Sequence, residues 1–361
     1  MPTKTLKIRL KDSSVRNKLK KMARAVNFVW NYCNETSFDA IRKDSKWLSG
    51  FDLQKLTKGS GKDLGINSTT VQEICSEYAL RRRQFRKRKL RFRGRKSLGW
   101  IPFKKTGISF KNGEFKYSGH SFRVFQPGRI PDESVKYGAG ELVEDARGNW
   151  YLCIAVEYDT DEYDAFNEVG IDLGLKDVAT LSNGQKVSNG RYYRMMERRL
   201  GRAQRYKKKR QAKKIHATIR NKRMDDLHKA STKIVKENCL IVVGQFGAKK
   251  LTKTKMAKSI NDAATTAFKS MLKYKASAQQ RRIYIEVPEN FSTQICSSCG
   301  EIPASAPKGV KDLGVREWVC SSCRAVHDRD VNAAMNILRF GRESLVPKVA
   351  QESPTIAASA V

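Results

Sequence analysis

The sequence has few acidic residues for its length. Aspartate and glutamate number 36 in 361 residues, against 72 lysines and arginines, so the formal net charge is +36. A charge of this size repels itself unless a polyanion compensates it, and it excludes an ordinary enzyme that acts on a small neutral substrate. Nucleic acid is the expected partner, and its binding should weaken steeply with salt.

Long apolar runs are also missing. None reaches the length of a transmembrane helix, and the first residues, Met1 to Leu6, lack the apolar core of a secretory signal. A membrane surface is therefore the weaker candidate partner. We expect the protein to act in the bacterial cytoplasm, on nucleic acid and not at a membrane.

The eight cysteines fall into two classes. Cys33, Cys75, Cys153 and Cys239 occur singly among apolar residues, which suits a reducing compartment. The others form two C-x2-C pairs separated by 20 residues, a spacing typical of four thiolates around one structural zinc ion. A disulfide pair or four unrelated thiols fit this spacing poorly. The paired residues are Cys296, Cys299, Cys320 and Cys323.

Hydrophobic periodicity separates a helical part from a β part in the first half of the chain. Residues 4–10 alternate polar and apolar side chains, which predicts a half-buried strand. Helical spacing follows over residues 14–43, and a second helix is predicted to begin at residue 68 and to continue through residues 81–96. Short alternating runs over residues 98–165 predict a small barrel or sandwich, into which the helices would be inserted.

Two segments concentrate the positive charge. Residues 81–96 hold eleven cations in sixteen positions, with Phe85 and Phe92 between them, and residues 202–223 form a second basic run. A solvated helix face or a disordered tail is the alternative to a phosphate-binding surface, and core packing is the alternative to base stacking for each aromatic. The candidate phosphate contacts are Arg81, Arg82, Arg83, Arg86, Arg88, Lys207, Lys208 and Arg210.

Two aspartates are candidate metal ligands. Asp172 lies in an apolar strand pattern between Gly170 and Gly174, where a carboxylate is costly unless it binds a metal or a partner; a turn aspartate is the alternative. Asp330 lies in the first turn of the last predicted helix, where helix-dipole stabilisation is the alternative to metal binding. We assign helix capping to Asp328 and metal binding to Asp330.

The motif of residues 170–174, the cysteine pairs and the segment 328–337 together resemble the TnpB family. These are transposon-encoded, RNA-guided DNA endonucleases related to Fanzor proteins and to the ancestors of type V CRISPR effectors. The resemblance covers residues 166–340 by motif and residues 1–165 only by layout. It implies a RuvC-like nuclease with two Mg²⁺ ions, in which Asp172 is the first catalytic acid and Asp330 the last.

The resemblance also implies the fold class. It is α+β and multidomain: a split β-barrel, or wedge, domain carries an inserted helical recognition lobe, and an α/β ribonuclease H-like RuvC domain carries an inserted four-cysteine zinc ribbon. The expected bounds are 1–12 and 98–165 for the wedge, 13–97 for the recognition domain, 166–290 and 325–343 for the RuvC-like domain, 291–324 for the ribbon and 344–361 for a disordered tail.

One position departs from the family pattern. Most members have a glutamate directly after the strand of residues 240–243, but here Gly244 follows it. Either nuclease activity is lost, or the glutamate has moved to Glu289, as in many Fanzor proteins and a TnpB subgroup. Parallel neighbouring strands bring their carboxyl ends to one crevice, so Glu289 could reach the metals. Glu286 ranks second, and surface glutamates are the remaining alternative.

The leading hypothesis is an RNA-guided endonuclease. A guide RNA from the transposon end would select double-stranded target DNA beside a short motif read by the protein. A nuclease-inactive, RNA-guided DNA-binding repressor is the alternative. A DNA-joining transposase lacks its nucleophile motif here, and the embedded Asp172 argues against a non-enzymatic RNA-binding scaffold. The oligomeric state, guide sequence and cut pattern stay open.

Overall fold

A computed structural model describes residues 3–111, 113–129, 136–158, 165–245, 264–308, 312 and 314–345. The chain divides into two compact units, Met1–Thr160 and Asp161–Val361. No helix in these ranges is long and apolar enough to cross a membrane. The predicted disordered tail lies outside the described residues from position 346 onward.

The first unit contains two antiparallel sheets. Strand β1 pairs with β7, so the predicted amino-terminal strand does join the later strands, in a four-stranded sheet of order β1-β7-β6-β2. A three-stranded sheet of order β3-β4-β5 accompanies it. Closure of these strands into a barrel stays a prediction. The strands are β1 (Thr3–Arg9), β2 (Trp100–Phe103), β3 (Ile108–Lys111), β4 (Glu114–Tyr117), β5 (His120–Phe122), β6 (Tyr137–Glu144) and β7 (Trp150–Glu157).

Helices cover the four-stranded sheet. Leu19, Val26 and Tyr78 of the helices share one buried cluster with Trp150 and Leu152 of β7, whose side chains alternate between buried and half-buried positions. This alternation is what a sheet with one covered face requires. The helices are α1 (Arg16–Asp44), α2 (Gly50–Leu56), α3 (Ser60–Leu64) and α4 (Ser68–Phe85).

The prediction that the second long helix continues through residue 96 is wrong. Helix α4 ends at Phe85, with Arg86 in the left-handed conformation, φ 50° and ψ 40°. Residues 86–99, here called the basic strap, contain no helix or strand. Adjacent turns of cations would repel one another in a helix, and the strap instead lies along α1, which supplies its hydrogen-bond partners.

The second unit is built on a five-stranded sheet of order β10-β9-β8-β11-β12. Strands β8, β11 and β12 are parallel, while β9 and β10 are antiparallel to their neighbours. Two helices occupy most of residues 192–237. The elements are β8 (Asn167–Leu173), β9 (Asp177–Leu181), β10 (Lys186–Ser188), α5 (Tyr192–Arg205), α6 (Lys209–Glu237), β11 (Asn238–Gly244), α7 (Thr265–Ser277), β12 (Ile283–Val287), β13 (Glu317–Val319), β14 (Val326–Asp328) and α8 (Arg329–Leu345).

The two faces of this sheet carry different helices. Val243 and its same-face neighbours pack against Leu227 of α6 and Phe268 of α7. Val242, one residue earlier, packs against Ile337 of α8. Because successive side chains of a strand point to opposite faces, these contacts assign every position of β8, β11 and β12 to one face or the other.

Helix α8 approaches the sheet at backbone distance. A Cβ atom built at Gly170 of β8 would lie 2.0 Å from the carbonyl oxygen of Ala334 and 2.7 Å from the nitrogen of Leu338. On α8 itself, a Cβ at Gly341 would lie 2.3 Å from Val242 Cγ2. No side chain fits at either position, so α8, which carries the candidate acid Asp330, lies directly on β8 and β11.

We expect Gly170→Ala to lower the melting temperature by about 3–10 °C, because overpacking against main-chain atoms costs about 1–3 kcal/mol. Gly201→Ala in α5 is the matched control. Its new methyl would meet nothing within 4 Å, and it should stabilise the protein by about 0.5–1 kcal/mol. Thermal unfolding followed by circular dichroism checks both, and an unchanged Gly170→Ala variant would contradict the close packing of α8.

Candidate functional site

Asp172 lies near the end of β8, on the face that α8 covers. It shares that face with Gly170 because the two are two residues apart. The residue is half-buried, and the protein around its carboxylate keeps water away from it. This desolvation raises the pKa of Asp172 well above the usual value. The carboxylates of Glu289 and Asp330 raise the pKa further, while Arg329 opposes them. Asp172 therefore lies within electrostatic reach of both other predicted acids.

The side chain of Glu289 fills the space beside Gly244. A Cβ at Gly244 would lie 2.4 Å from Glu289 Oε1 and 2.7 Å from its Cγ. Gly244 pairs with Val287, the last residue of β12, and Glu289 follows two positions later. The Glu289 carboxylate thus lies in the space that the side chain of a glutamate at residue 244 would enter. Only a residue without a side chain at 244 leaves room for it.

Burial dominates the chemistry of Glu289. It raises the pKa to about 7, although Lys269 opposes the shift. Within the described chain the buried Oε1 has no hydrogen-bond partner. A buried carboxylate oxygen without a donor is costly, so the site is suited to a cation.

Glu286 lies on the other face of the sheet. It precedes Val287, which packs with α8, and its carboxylate accepts hydrogen bonds from Lys269 Nζ at 2.9 Å and Tyr284 Oη at 3.1 Å. Burial alone would raise its pKa, but these two donors outweigh that effect and hold the pKa below the usual value. Glu286 is therefore a paired structural carboxylate, directed away from Asp172.

Asp328 caps α8, as predicted. Its Oδ1 accepts hydrogen bonds from the backbone nitrogens of Asp330 at 2.9 Å and Val331 at 3.0 Å, and its Oδ2 lies 2.7 Å from Lys186 Nζ. Asp330, in the first turn, is free of this capping role. Its carboxylate instead accepts from Arg316 Nη1, at 3.1 and 3.3 Å. Sequence reasoning missed Arg316, because nothing in its local pattern points to residue 330.

The three acids come from three elements that end at one edge of the sheet. Asp172 is the penultimate residue of β8, Glu289 follows β12 by two positions and Asp330 lies in the first turn of α8. Glu289 and Asp330 both raise the pKa of Asp172, and such a group of carboxylates favours either a bound proton or a cation between them. Oxygen donors of this kind are the ligands that Mg²⁺ prefers, and the unpartnered oxygen of Glu289 fits such an ion.

The four paired cysteines come together as predicted. All four sulfurs lie within 4.8 Å of one another, with Cys296 and Cys323 at 3.7 Å and Cys299 and Cys320 at 3.8 Å. Sulfurs about 2.3 Å from a tetrahedral zinc ion would be about 3.8 Å apart. A disulfide needs about 2.05 Å, so the cluster is arranged for a metal and not for a covalent pair.

A histidine contacts this cluster from the strand that leads to α8. His327 Nε2 lies 3.0 Å from Cys296 Sγ, and its buried ring packs on Trp318 at 4.8 Å between centroids. With its proton on Nε2, the imidazole donates a hydrogen bond to the thiolate. Asp328 and Asp330 follow within three residues, so the cysteine cluster and the acidic site share one short stretch of chain.

Two asparagines of α8 fix the start of the ribbon. Asn332 and Asn336 donate to the carbonyl of Ile295 at 2.8 and 2.7 Å, and Asn336 also donates to that of Ser292 at 2.8 Å. Asn332 Oδ1 accepts from the backbone nitrogen of Ser297 at 2.8 Å. These bonds hold the segment after Glu289 against the helix that carries Asp330.

One candidate nucleic-acid contact is wrong. Arg82 is buried, its guanidinium donates to the carbonyl of Leu48 and lies 5.0 Å from the ring centre of Trp47. It stabilises the helical part of the first unit and does not face solvent. The other seven candidates are exposed: Arg81, Arg83, Arg86, Arg88, Lys207, Lys208 and Arg210.

Comparison with known proteins gives the family. The family model described as "Probable transposase" matches residues 151–259, and that described as "Cas12f1-like, TNB domain" matches residues 266–337. A "Putative RNA-guided DNA endonuclease" of Streptomyces pristinaespiralis is 30% identical over 316 residues, covering 82% of this chain and 75% of the relative. The "Putative RNA-guided DNA endonuclease InsQ" of Escherichia coli K12 is 26% identical over 293 residues, covering 70% and 71%.

A solved structure, the Cas12f1–sgRNA–target DNA complex, aligns over 94% of this chain and 99% of its own, at 15% identity and a TM-score of 0.37. A likeness this weak leaves the assignment to the sequence relatives. Both of those relatives are named as RNA-guided DNA endonucleases, which defines the class that the chain resembles. The chain belongs to the TnpB family.

The acidic site should make stability depend on pH when Mg²⁺ is absent. The folded pKa of Glu289, about 7, exceeds its ordinary value of 4.5, so ionisation opposes folding. In Mg²⁺-free buffer the melting temperature should fall as pH rises through that interval, less so in Glu289→Gln, and Mg²⁺ should reverse the fall. Glu286→Gln, the control, should fall like the wild type, since Glu286 is already ionised. Parallel curves for wild type and Glu289→Gln would refute this.

The contact between His327 and Cys296 should strengthen zinc binding, because partners of metal ligands hold them in position. We expect His327→Ala to bind zinc about 10–100-fold more weakly. Zinc released to a chromogenic chelator measures this directly. His216→Ala, at an exposed position of α6, is the control, and equal retention in the two variants would show that His327 only fills space.

Proposed function

We propose that this protein is an RNA-guided DNA endonuclease whose RuvC-like site is formed by Asp172, Glu289 and Asp330. The observation that carries the proposal is the position of the Glu289 carboxylate against Gly244, on the same face of the sheet as Asp172. A five-stranded sheet of order β10-β9-β8-β11-β12, in which β9 alone runs against the other four strands, supports a ribonuclease H-like domain. The family membership supports the reaction class.

The proposed cofactor is Mg²⁺, held by the three carboxylates. When bound, divalent ions activate water and stabilise the leaving oxygen in phosphodiester hydrolysis. The chain's own residues prepare for this: burial keeps the carboxylates of Asp172 and Glu289 poorly solvated and available to a cation. Arg316 holds the carboxylate of Asp330 in place. Zinc is proposed for the cysteine cluster, as a structural ion only.

The proposed partners are a guide RNA from the transposon end and double-stranded target DNA beside a short recognition motif. The net charge of +36 supports polyanion binding. Exposed Lys207, Lys208 and Arg210 lie where α5 turns into α6, and Arg86 and Arg88 lie on the basic strap. These two surfaces are the proposed contacts to the nucleic-acid backbone.

The nuclease-inactive repressor remains the competing function, since Gly244 removes the usual glutamate. Purified protein with its co-purified RNA, matched DNA and Mg²⁺ distinguishes the two. We expect cleavage, and we expect Glu289→Gln to slow it by about 100-fold or more through loss of a metal ligand. Glu286→Gln, from the opposite face, should retain most activity. Binding without cleavage by the wild type would instead support the repressor.

A relocation experiment tests the role of Gly244. Glu289→Ala should abolish cleavage, and adding Gly244→Glu to it should restore part of the activity, because the vacated space is the one that a glutamate at 244 would enter. Gly244→Glu alone should be impaired by the clash with Glu289. Cleavage rates of the three variants under single-turnover conditions check this. Undiminished activity of Glu289→Ala would exclude Glu289 as the third acid.

A further inference from the structure

The basic strap is held in a fixed course by asparagine side chains of α1. Asn34 donates to the carbonyl of Leu90 at 2.8 Å and accepts from its nitrogen at 2.9 Å. Asn31 does the same for Arg93, at 3.0 and 2.8 Å. Each amide satisfies a main-chain donor and acceptor, as a neighbouring strand would. The strap is thereby ordered without any secondary structure of its own.

An open groove of about 1000 Å³ lies between the strap, α4 and the edge formed by β2 and β6. Its walls carry both aromatic rings and cations. Phe85 and Phe92 are 60% and 46% exposed, although apolar rings of this size are normally covered. Arg91 and Lys96 are exposed beside them, while the Arg93 guanidinium lies 5.3 Å from the ring centre of Trp100.

The acids of this groove are already engaged. Glu77 pairs with Arg81 at 2.6 Å, Glu141 accepts from Trp100 Nε1 at 2.8 Å and Glu144 accepts from the nitrogen of Gly99 at 3.0 Å. Of these three acids only Glu77 is paired with a cation, while Glu141 and Glu144 keep their charge at the β2–β6 side of the groove. The strap side offers aromatic faces and the cations Arg91 and Lys96 to a ligand. A purely apolar ligand would leave the cations unused, and a simple anion would leave the rings unused.

We propose that this groove binds unpaired nucleotides, with bases stacked on Phe85 and Phe92 and phosphates beside Arg91 and Lys96. Paired bases stack on one another and offer no free face, so the ligand is single-stranded. The inference rests on the proposed function for its source. That source is either an unpaired part of the guide RNA or the DNA strand displaced from the target, since both present the same chemistry.

Binding of labelled ten-nucleotide uridine RNA and thymidine DNA to the full chain tests the groove. Phe85→Ala/Phe92→Ala should bind both strands about tenfold more weakly and leave binding of a ten-base-pair duplex unchanged. Phe28→Ala/Phe51→Ala is the matched control, because both rings are exposed and lie outside the groove. An unchanged affinity, or an equal loss in the control or for duplex, would overturn the proposal.

Photocrosslinking in the assembled complex identifies the source. Guide RNA carrying 4-thiouridine, or target DNA carrying 5-iododeoxyuridine, is irradiated and the adducts are mapped by mass spectrometry. Adducts within residues 81–100 from one arm support the proposal and name its strand, and no adduct there from either arm overturns it. A protein that forms these adducts without cutting DNA fails only the proposed function, and one that cuts without forming them fails only the nucleotide groove.

Discussion

The backbone contact between β8 and α8 is the constraint on which the acidic site depends. Because Gly170 has no side chain, the main chain of α8 lies directly against the strand that carries Asp172. Asp330 lies in the first turn of the same helix, so the distance between α8 and the sheet sets the separation of Asp172 and Asp330. Gly341 extends the contact to β11. A methyl group at either glycine would lift the helix and move Asp330 away from Asp172, without any change in the acids themselves.

The acids are kept together against their mutual repulsion by groups that surround them. Burial and two neighbouring carboxylates raise the pKa of Asp172, and Arg329 lowers it. Arg316 supports Asp330 from the ribbon, and Lys269 acts on Glu289 from α7. Without a cation this arrangement costs folding free energy, because buried carboxylates lie close to one another. Under the proposed function, a cation bound between the carboxylates would offset this cost.

Many secondary-structure elements were predictable from the sequence, but the side-chain contacts between distant residues were not. Periodicity placed β1 with the later strands, and the cysteine spacing predicted a cluster, since both depend on local pattern. The choice between Glu289 and Glu286 depends on which face of the sheet each side chain lies on. The contact of Val287 with α8 reveals this, because alternate residues of β12 point to opposite faces. The end of α4 was missed because helix propensity says nothing about the asparagines of α1. Arg82 was misassigned because charge density alone cannot distinguish a buried guanidinium from an exposed one.

Asparagine performs the same task in both units. On α1, Asn31 and Asn34 bind the main chain of the strap, and on α8, Asn332 and Asn336 bind the start of the ribbon. In each case the bound segment carries functional side chains but has no strand partner of its own. An amide can supply both a donor and an acceptor without adding charge, so it fixes a segment beside arginines or beside carboxylates without disturbing their electrostatics. A lysine supplies only donors and an ionised aspartate only acceptors, so neither could replace an amide that both donates and accepts, and each would also change the charge of the site that it serves.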